Sequence, residues 1–431
     1  MGTGQKAVYN RFMTANAEFD VVVAGAGMTG ATLALGLAQA GMSVAVVDAQ
    51  PLETRVAPDF DGRALAIAYA NFRQWRALGV AAALEPVAQP IRSILVTDGP
   101  APGAAARAPG GAFLRVEADE IADRGEDEPL GWMLETRHIR AALGQGLRAA
   151  KVADFTPAAV TGVLVGPRLA EVALSDGRVL SAPLVVGAEG RNSTVREAAG
   201  IGVTGWDYRQ SGLVATVALE RPHAGVAQQY FMPGGPLAVL PLTGDRASLV
   251  WTERRDRAGA LAAGSQAAFE SHLARRFGEA LGRPRLLGPR FVHPLSLQLA
   301  HAMTGPRTAL AGDAAHAVHP LAGQGLNMGL KDAAALAEVV ADAARLGEDW
   351  GSAAVLDRYA RWRRFDSLSV VAASDAFTRL FSNSDPIARM ARGLGLSLVN
   401  GLPAARRFLM REAGGATGEL PRLLRGESLH G

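Results

Sequence analysis

The chain has 431 residues, which is long for one domain, so we expect two closely packed domains. Its 49% hydrophobic and 20% charged residues exclude a disordered protein, and the absence of cysteine excludes disulfides, thiolate metal sites, iron–sulfur clusters and cysteine nucleophiles. A net charge of +3, without basic clusters interleaved with aromatic residues, is too weak to indicate a nucleic-acid partner.

The first residues predict no folded element. Residues 1–18 contain no apolar run followed by a cleavage site, so we expect a disordered arm and no secretory signal. Nowhere does an apolar window reach eighteen residues, so no transmembrane helix is expected. Nearly all positive charge is arginine, which is typical of a GC-rich bacterial genome.

A complete βαβ unit follows. The valine-rich strand Asp20–Ala24 leads into the motif Gly25-Ala26-Gly27-Met28-Thr29-Gly30, then a helix over Ala31–Gly41 and a second strand over Ser43–Asp48. Glycines at this spacing allow a tight turn and a close approach of the backbone to a pyrophosphate. The acidic end of the second strand suits ribose hydroxyls. This context predicts a dinucleotide-binding turn.

The next segment alternates between helices and strands. A polar loop runs from Arg55 to Arg63, and a helical pattern covers Ala66–Leu84. Short strands with Pro and Gly breaks follow between Ile91 and Leu134, and a helix covers Thr136–Ala150. Three further strands are predicted before the second motif: Ala158–Val165, Glu171–Leu174 and Leu184–Gly187.

The second motif, Gly187-Ala188-Glu189-Gly190-Arg191, directly follows a buried strand. From Ser211 to Leu297 the pattern is that of strands, interrupted by a helix over Ser265–Phe277. The chain from Ala353 onward is helical and rich in arginine. We therefore expect a β-rich unit inserted into an α/β protein.

The third motif is the most informative. The apolar strand Thr308–Leu310 precedes Gly312-Asp313, and the stretch from His316 to Asn327 leads into a long helix over Leu326–Leu346. A helix N-terminus offers unpaired N–H groups to an anion or an electron-rich ring edge. An ionised Asp313 only accepts hydrogen bonds, which suits a ligand hydroxyl. His316 and His319 have no third partner at metal spacing, so the sequence favours no metal site.

These three motifs together resemble the ubiquinone-biosynthesis branch of the FAD-dependent aromatic hydroxylases, which have the para-hydroxybenzoate hydroxylase architecture. The resemblance implies an α/β fold whose Rossmann-like FAD-binding domain comes in three segments. The implied ranges are 19–90, 135–200 and 298–350 for the FAD-binding domain, 91–134 and 201–297 for a β-rich substrate domain, and 351–431 for a helical C-terminal region.

The resemblance also assigns cofactor residues. The glycine-rich turn holds the FAD pyrophosphate, Asp48 the ribose and Asp313 the ribityl chain, while Arg63 lies near the nicotinamide path and Arg140 near the phosphates. Glu189 stands where the family has aspartate. The full implied set is Gly25, Gly27, Met28, Thr29, Gly30, Asp48, Arg63, Arg140, Glu189, Gly312, Asp313, Pro320, Gly323, Gln324, Gly325, Leu326 and Asn327.

The implied reaction is hydroxylation of a polyprenylated phenol with O2 through a flavin 4a-hydroperoxide, reduced by NAD(P)H or another electron donor. No catalytic base is identifiable in the sequence. Tyr230, Met232, Trp251 and Pro320 are candidates for lining the substrate pocket, with ordinary sheet packing as the alternative for the first three. Two further functions stay open: hydroxylation of a small soluble aromatic compound, and a non-catalytic flavoprotein scaffold.

A long isoprenoid tail would reside in a membrane or in an apolar tunnel, since each buried methylene contributes about 0.8 kcal/mol. The segment Ala388–Glu412 mixes arginines with large apolar residues. It suits either peripheral contact with the inner membrane from the cytoplasm or a helical bundle that closes the FAD-binding domain. Other ubiquinone-biosynthesis proteins are plausible partners for such an enzyme.

Overall fold

The computed structural model describes residues 17–57, 63–98, 113–120, 128–232, 235–277, 281–318, 324–364, 414–416 and 418–430. Four sheets organise this part of the chain. One is a mostly parallel sheet with helices on one face, and the largest is a long, mostly antiparallel sheet beside it. The α/β fold with an inserted β-rich unit, predicted from the motifs, is confirmed.

A six-stranded sheet carries all three motif turns. Its strands, in order across the sheet, are Thr304–Gly305, Thr308–Leu310, Leu184–Gly187, Val21–Ala24, Val44–Val47 and Ala153–Phe155. All neighbouring pairs except the first are parallel. Parallel strands covered on both faces are apolar throughout, which explains the valine runs.

Each face of this sheet is covered differently. Three helices pack on one face: Met28–Gln39, Thr136–Ala149 and Gln324–Arg345. The other face packs against a four-stranded sheet. The strands of that second sheet, in order, are Ala17–Glu18, Val179–Ala182, Ala170–Leu174 and Val160–Val165. The last two residues of the predicted N-terminal arm thus form a strand, because their backbone pairs with Leu180 and Ser181.

The inserted unit is an eight-stranded sheet. Its strands, in order, are His316–Ala317, Arg285–Ala300, Val203–Ala218, Arg246–Arg254, Leu237–Leu242, Val226–Phe231, Ser93–Asp98 and Phe113–Glu117. Two helices, Arg255–Ala263 and Gln266–Phe277, pack on one face. The opposite face meets a three-stranded sheet formed by Ala64–Ala68, Gly131–Glu135 and Gln89–Ile91.

The helix predicted over Ala66–Leu84 is wrong at its start. Ala64–Ala68 is a strand because it pairs antiparallel with Gly131–Glu135, and this tertiary pairing overrides the helical propensity of alanine. Helices occupy Tyr69–Ala77 and Ala81–Leu84, separated at Gly79, whose φ is +72°. Several other short elements also escaped prediction, among them Leu52–Val56, Ala153–Phe155, Val179–Ala182, Thr194–Ala198 and Arg255–Ala263.

In the C-terminal part the structure describes two helices, at residues 353–364 and at Arg422–Arg425, while residues 414–416, 418–421 and 426–430 form turns and irregular segments. The segment Ala388–Glu412, singled out for its arginines, lies outside the described residues. Within the described part of the chain, no helix is both long and apolar enough to span a bilayer.

Candidate functional site

The glycine-rich turn joins the strand Val21–Ala24 to the helix Met28–Gln39. The space around the Cα differs from one of its glycines to the next. Gly25 has φ +98°, and a Cβ there would stand 2.3 Å from the carbonyl oxygen of Ala188. A Cβ on Gly30 would stand 1.9 Å from the oxygen of Gly25. A Cβ on Gly27 would meet nothing within 4 Å. Two glycines therefore permit tight packing, and Gly27 faces open space.

The helix that follows has a free N-terminus. Gly27 is its N-cap residue, no side chain caps it, and no acidic residue lies in its first turn. Its first N–H groups and the positive end of its dipole are therefore available to an anion. A depression beside this turn is lined by Ala26, Gly27, Met28, Arg55, Arg140 and Asp154, among others.

Asp48 closes the βαβ unit at the end of the strand Val44–Val47. Its Oδ2 accepts the N–H of Ala26 at 2.9 Å, and its Oδ1 accepts the N–H of Gln50 at 2.9 Å. The guanidinium of Arg55 lies 3.4 Å from Oδ2 and also donates to the carbonyl of Ala26. Arg55, which sequence reasoning placed only in a polar loop, is thus buried against the glycine-rich turn.

The three motifs meet at one edge of the six-stranded sheet. Val21–Ala24, Leu184–Gly187 and Thr308–Leu310 are adjacent and parallel, so the turns after them emerge side by side. Thr29 marks the junction, because a Cβ on Gly312 would stand 3.1 Å from its Oγ1 and a Cβ on Gly329 only 2.6 Å away. Segments almost 300 residues apart in sequence therefore form one turn cluster.

Asp313 presents its carboxylate at this edge. It lies in the 3-10 turn Gly312–Ala314, where Gly312 has φ +64°. The side chain is 48% exposed, and its ionic contact among the described residues is Arg191, whose Nε is 3.9 Å from Oδ2. The buried Arg196 fixes the same turn by donating from Nη1 to the carbonyl of Ala314 at 3.2 Å.

Comparison with known proteins identifies this arrangement. Residues 18–374 match the FAD binding domain family. The chain is 42% identical over 414 residues to the ubiquinone hydroxylase UbiL of Rhodospirillum rubrum, which covers 95% of this chain and 93% of that protein. The chain belongs to the FAD-dependent ubiquinone-biosynthesis hydroxylases. The predicted family is confirmed.

A second relative agrees with this assignment, and a solved structure shares the fold. The 3-demethoxyubiquinol 3-hydroxylase of Escherichia coli is 35% identical over 401 residues, covering 92% of this chain and 99% of that protein. The crystal structure of p-nitrophenol 4-monooxygenase PnpA from Pseudomonas putida shares the fold with a TM-score of 0.75 at 22% identity, covering 94% and 99% of the two chains. This hydroxylase is therefore an FAD-dependent monooxygenase.

The turn cluster fits FAD. The uncapped helix N-terminus and the open space at Gly27 suit a pyrophosphate, and three arginines, Arg55, Arg140 and Arg148, line the depression beside them. The guanidinium of Arg140 also donates to the carbonyl of Arg55 at 3.2 Å. An exposed Asp313 offers acceptor oxygens for hydroxyl groups at the same edge.

The cofactor role of Glu189 stays a prediction, and its carboxylate makes hydrogen bonds within its own motif. The hydroxyl of Ser193 donates to its carboxylate, which also accepts the N–H of Val195 at 3.3 Å, at the start of the helix Thr194–Ala198. Burial raises the pKa of the Glu189 carboxyl, and these hydrogen bonds only partly offset it. The carboxylate thus fixes Ser193, the N-cap residue of this helix, and accepts an N–H of its first turn. The part of this motif beside the glycine-rich turn is the backbone of Ala188 and Glu189.

The N-terminus of the long helix is only partly described. Pro320, Gly323 and His319 lie outside the described residues. Gln324, Gly325 and Leu326 begin the helix and are half-buried. Asn327, also predicted to contact the cofactor, makes side-chain hydrogen bonds to other residues of the chain.

The amide of Asn327 joins the long helix to the strand Ala64–Ala68. Its Oδ1 accepts the N–H of Ala68 at 2.9 Å and an N–H of Asn71 at 2.8 Å, and its Nδ2 donates to Ala66 at 2.8 Å. Arg63 directly precedes this strand, and its carbonyl accepts the N–H of Thr136 at 2.9 Å. The strand that escaped sequence prediction therefore connects two predicted cofactor residues.

Tyr230, Met232 and Trp251 were candidates for lining the substrate pocket, with sheet packing as the alternative, and the structure shows sheet packing. The register Tyr230↔Leu237↔Trp251 places these side chains on the sheet face that packs against the helix Gln266–Phe277. All three are buried there, and burial strongly raises the pKa of the Tyr230 phenol. The alternating pattern identified a buried strand but did not show which layer covers it.

A buried ionic cluster lies behind the Asp313 turn. Nε2 of His316 is 2.7 Å from Oδ2 of Asp332, and Nε of Arg363 donates to Oδ1 at 2.8 Å. Burial raises the pKa of the Asp332 carboxyl, but His316 and Arg363 outweigh this and keep it below its usual range. No group of three His, Asp or Glu side chains in the described ranges has a metal-binding arrangement.

The pH dependence of stability tests this cluster. Burial lowers the pKa of the His316 imidazole, but the Asp332 carboxylate outweighs it, so the folded pKa lies above the ordinary 6.5. The ion pair therefore stabilises the fold fully below pH 6.5, and the contribution is lost as the pH rises through the folded pKa. We compare the thermal midpoints of the parent and of His316→Gln, both saturated with FAD. We expect the advantage of the parent to decrease as the pH is raised from about 6 to about 9. A constant difference would contradict a charged His316.

Proposed function

We propose that this protein hydroxylates the aromatic ring of a polyprenylated phenol in ubiquinone biosynthesis, with FAD, O2 and NAD(P)H. The observation that carries the proposal is the 42% identity with a ubiquinone hydroxylase along almost the whole of both chains. The meeting of the three motif turns at one sheet edge supports it. Bound FAD, once reduced by NAD(P)H, would activate O2, one atom of which enters the ring while the other leaves as water.

The residues of the chain would hold and orient the cofactor. The free N–H groups at Gly27, Met28 and Thr29 would bind the pyrophosphate, with Arg140 beside them. Asp48 would accept from the adenosine ribose, and Asp313 from the ribityl hydroxyls. The start of the helix Gln324–Arg345 would place its positive dipole end near the ring system, where it favours negative charge on reduced flavin.

Three segments would build the FAD-binding domain: 19–90, 135–200 and 298–350. Residues 91–134 and 201–297 would form the substrate domain, and 351–431 the C-terminal region. Pairing of Ser93–Asp98 with Val226–Phe231 supports the grouping of the two substrate segments. The substrate would then lie on the sheet face turned toward the strand Ala64–Ala68, opposite the face that carries Trp251.

A polyprenylated substrate also implies a membrane. We propose peripheral contact with the cytoplasmic face of the inner membrane, through the arginine-rich segment Ala388–Glu412, because a long tail partitions into lipid. Binding of the purified protein to anionic liposomes tests this proposal. Unchanged liposome binding after deletion of the chain beyond Gly401 would contradict it.

The functional test is mass spectrometry of quinone lipids from a strain that lacks the gene. We expect ubiquinone to disappear and a prenylated, under-hydroxylated phenol to accumulate, and the parent gene to restore ubiquinone. Normal ubiquinone in a strain without a redundant hydroxylase would contradict the proposal and favour a small soluble aromatic substrate. Restoration by an Asp313→Ala variant that holds no FAD would instead indicate a non-catalytic scaffold.

A further inference from the structure

Asp332 is the most deeply buried charged group in contact with a motif turn. It lies two turns into the helix Gln324–Arg345, and its relative exposure is 0%. In addition to the contacts of Oδ2 with His316 and of Oδ1 with Arg363, Oδ2 accepts the backbone N–H of Gly312 at 3.0 Å. One carboxylate thus joins the long helix, the Gly312–Asp313 turn and residues 353–364.

Burying a carboxylate costs several kcal/mol unless it is paired, so such a group must be fully satisfied. Here two cationic partners and a backbone N–H surround it. Residues 353–364 make a second contact near this turn: the hydroxyl of Tyr359 donates to the carbonyl of Leu310, at the end of the strand before the turn, at 2.8 Å. The cluster therefore fixes the strand end, the turn and the helix relative to one another.

We propose that Asp332 is a positioning residue for FAD. Its carboxylate holds the Gly312–Asp313 turn against the long helix, so that Asp313 and the helix N-terminus reach the same cofactor. Arg363 and His316 flank this carboxylate and favour its ionised form in the core. The inference rests on FAD binding at the turn cluster and not on the identity of the aromatic substrate, so a failed substrate assignment leaves it standing.

The test is FAD affinity, measured from the fluorescence of flavin released when the holoprotein is diluted. Asp332→Asn keeps one acceptor oxygen but removes the charge, and we expect the dissociation constant of FAD to rise at least about tenfold. We also expect the visible absorption bands of the bound flavin to change shape, because its surroundings at Asp313 move.

Glu253→Gln is the matched control. Glu253 is 1% exposed and pairs with Arg276 at 3.2 Å, but it lies in the eight-stranded sheet on the face covered by the helix Gln266–Phe277. This variant should lower the thermal midpoint and leave FAD affinity within about twofold of the parent. Equal weakening of FAD by both variants, or parental affinity in Asp332→Asn, would overturn the proposal.

Hydrogen exchange tests the same contact without a substitution, should Asp332→Asn fail to fold. In the unaltered holoprotein the amide of Gly312 donates to a buried carboxylate, so we expect its exchange to be slowed by roughly a thousandfold or more. Exchange as fast as that of an exposed loop amide would show that Asp332 does not hold the turn.

Discussion

Replacing Asp313 with alanine is expected to give a colourless protein that still folds. The side chain is half-exposed, and its ionic contact in the described part of the chain is Arg191 at 3.9 Å, so its removal costs the fold little. Hydrogen bonds to a charged acceptor contribute about 1.5–3 kcal/mol each. Losing them weakens FAD binding by about tenfold to a hundredfold or more.

Two measurements check this expectation: the ratio of flavin to protein absorbance after purification, and the dissociation constant of FAD. Asp176→Ala is the matched control, because Asp176 is also a partly exposed carboxylate paired with an arginine, Arg178, but lies in a turn of the four-stranded sheet. This control should purify yellow. A yellow Asp313→Ala variant with normal FAD content would refute the role given to Asp313.

Much of the cofactor site could be predicted because its signals are local. A buried parallel strand reads as a run of valines, and the glycine spacing at Gly25, Gly27 and Gly30 follows from the turn geometry alone. Helix and strand bounds in the βαβ unit differ from the prediction by at most three residues. The three motif turns could be brought together only through the resemblance, which implied one FAD-binding domain built from three segments.

What escaped prediction depends on contacts between distant segments. Ala64–Ala68 reads as helix until Gly131–Glu135 pairs with it. The alternation of apolar and polar residues around Tyr230 and Trp251 predicts that one face of the sheet is buried, but it does not show which layer covers that face. The single sequence signal for Asp332 was a charged residue on the apolar side of the long helix, between Leu330 and Ala333. Its partners come from the Asp313 turn and from beyond residue 353.

Substitution of two motif glycines, Gly27 and Gly30, should separate cofactor binding from folding. Gly27 has φ −66° and ψ −178°, which any residue adopts, and a Cβ there would meet nothing within 4 Å. Gly27→Ala should therefore fold with a free energy of unfolding within a few tenths of a kcal/mol of the parent. Its methyl group would project beside the free helix N-terminus, where the pyrophosphate is proposed to approach, so FAD affinity should fall about tenfold or more.

Gly30→Ala should behave differently, because its Cβ would stand 1.9 Å from the carbonyl oxygen of Gly25. That clash is with backbone inside the turn, so we expect insoluble or strongly destabilised protein. Gly259→Ala is the control, since Gly259 also faces open space but lies in the helix Arg255–Ala263. It should gain up to about 1 kcal/mol of stability and keep parental FAD affinity.

Thermal unfolding of FAD-free protein and titration with FAD distinguish the three variants. Parental FAD affinity in Gly27→Ala would contradict the proposal that the pyrophosphate binds at this turn. Normal folding of Gly30→Ala would contradict the close packing of the turn. The expected pattern assigns different causes to two glycines of one motif. Gly30 is required because the backbone of Gly25 lies against it, and Gly27 is required because the ligand must approach it closely. A sequence motif records both requirements with the same letter, and only the space around each Cα separates them.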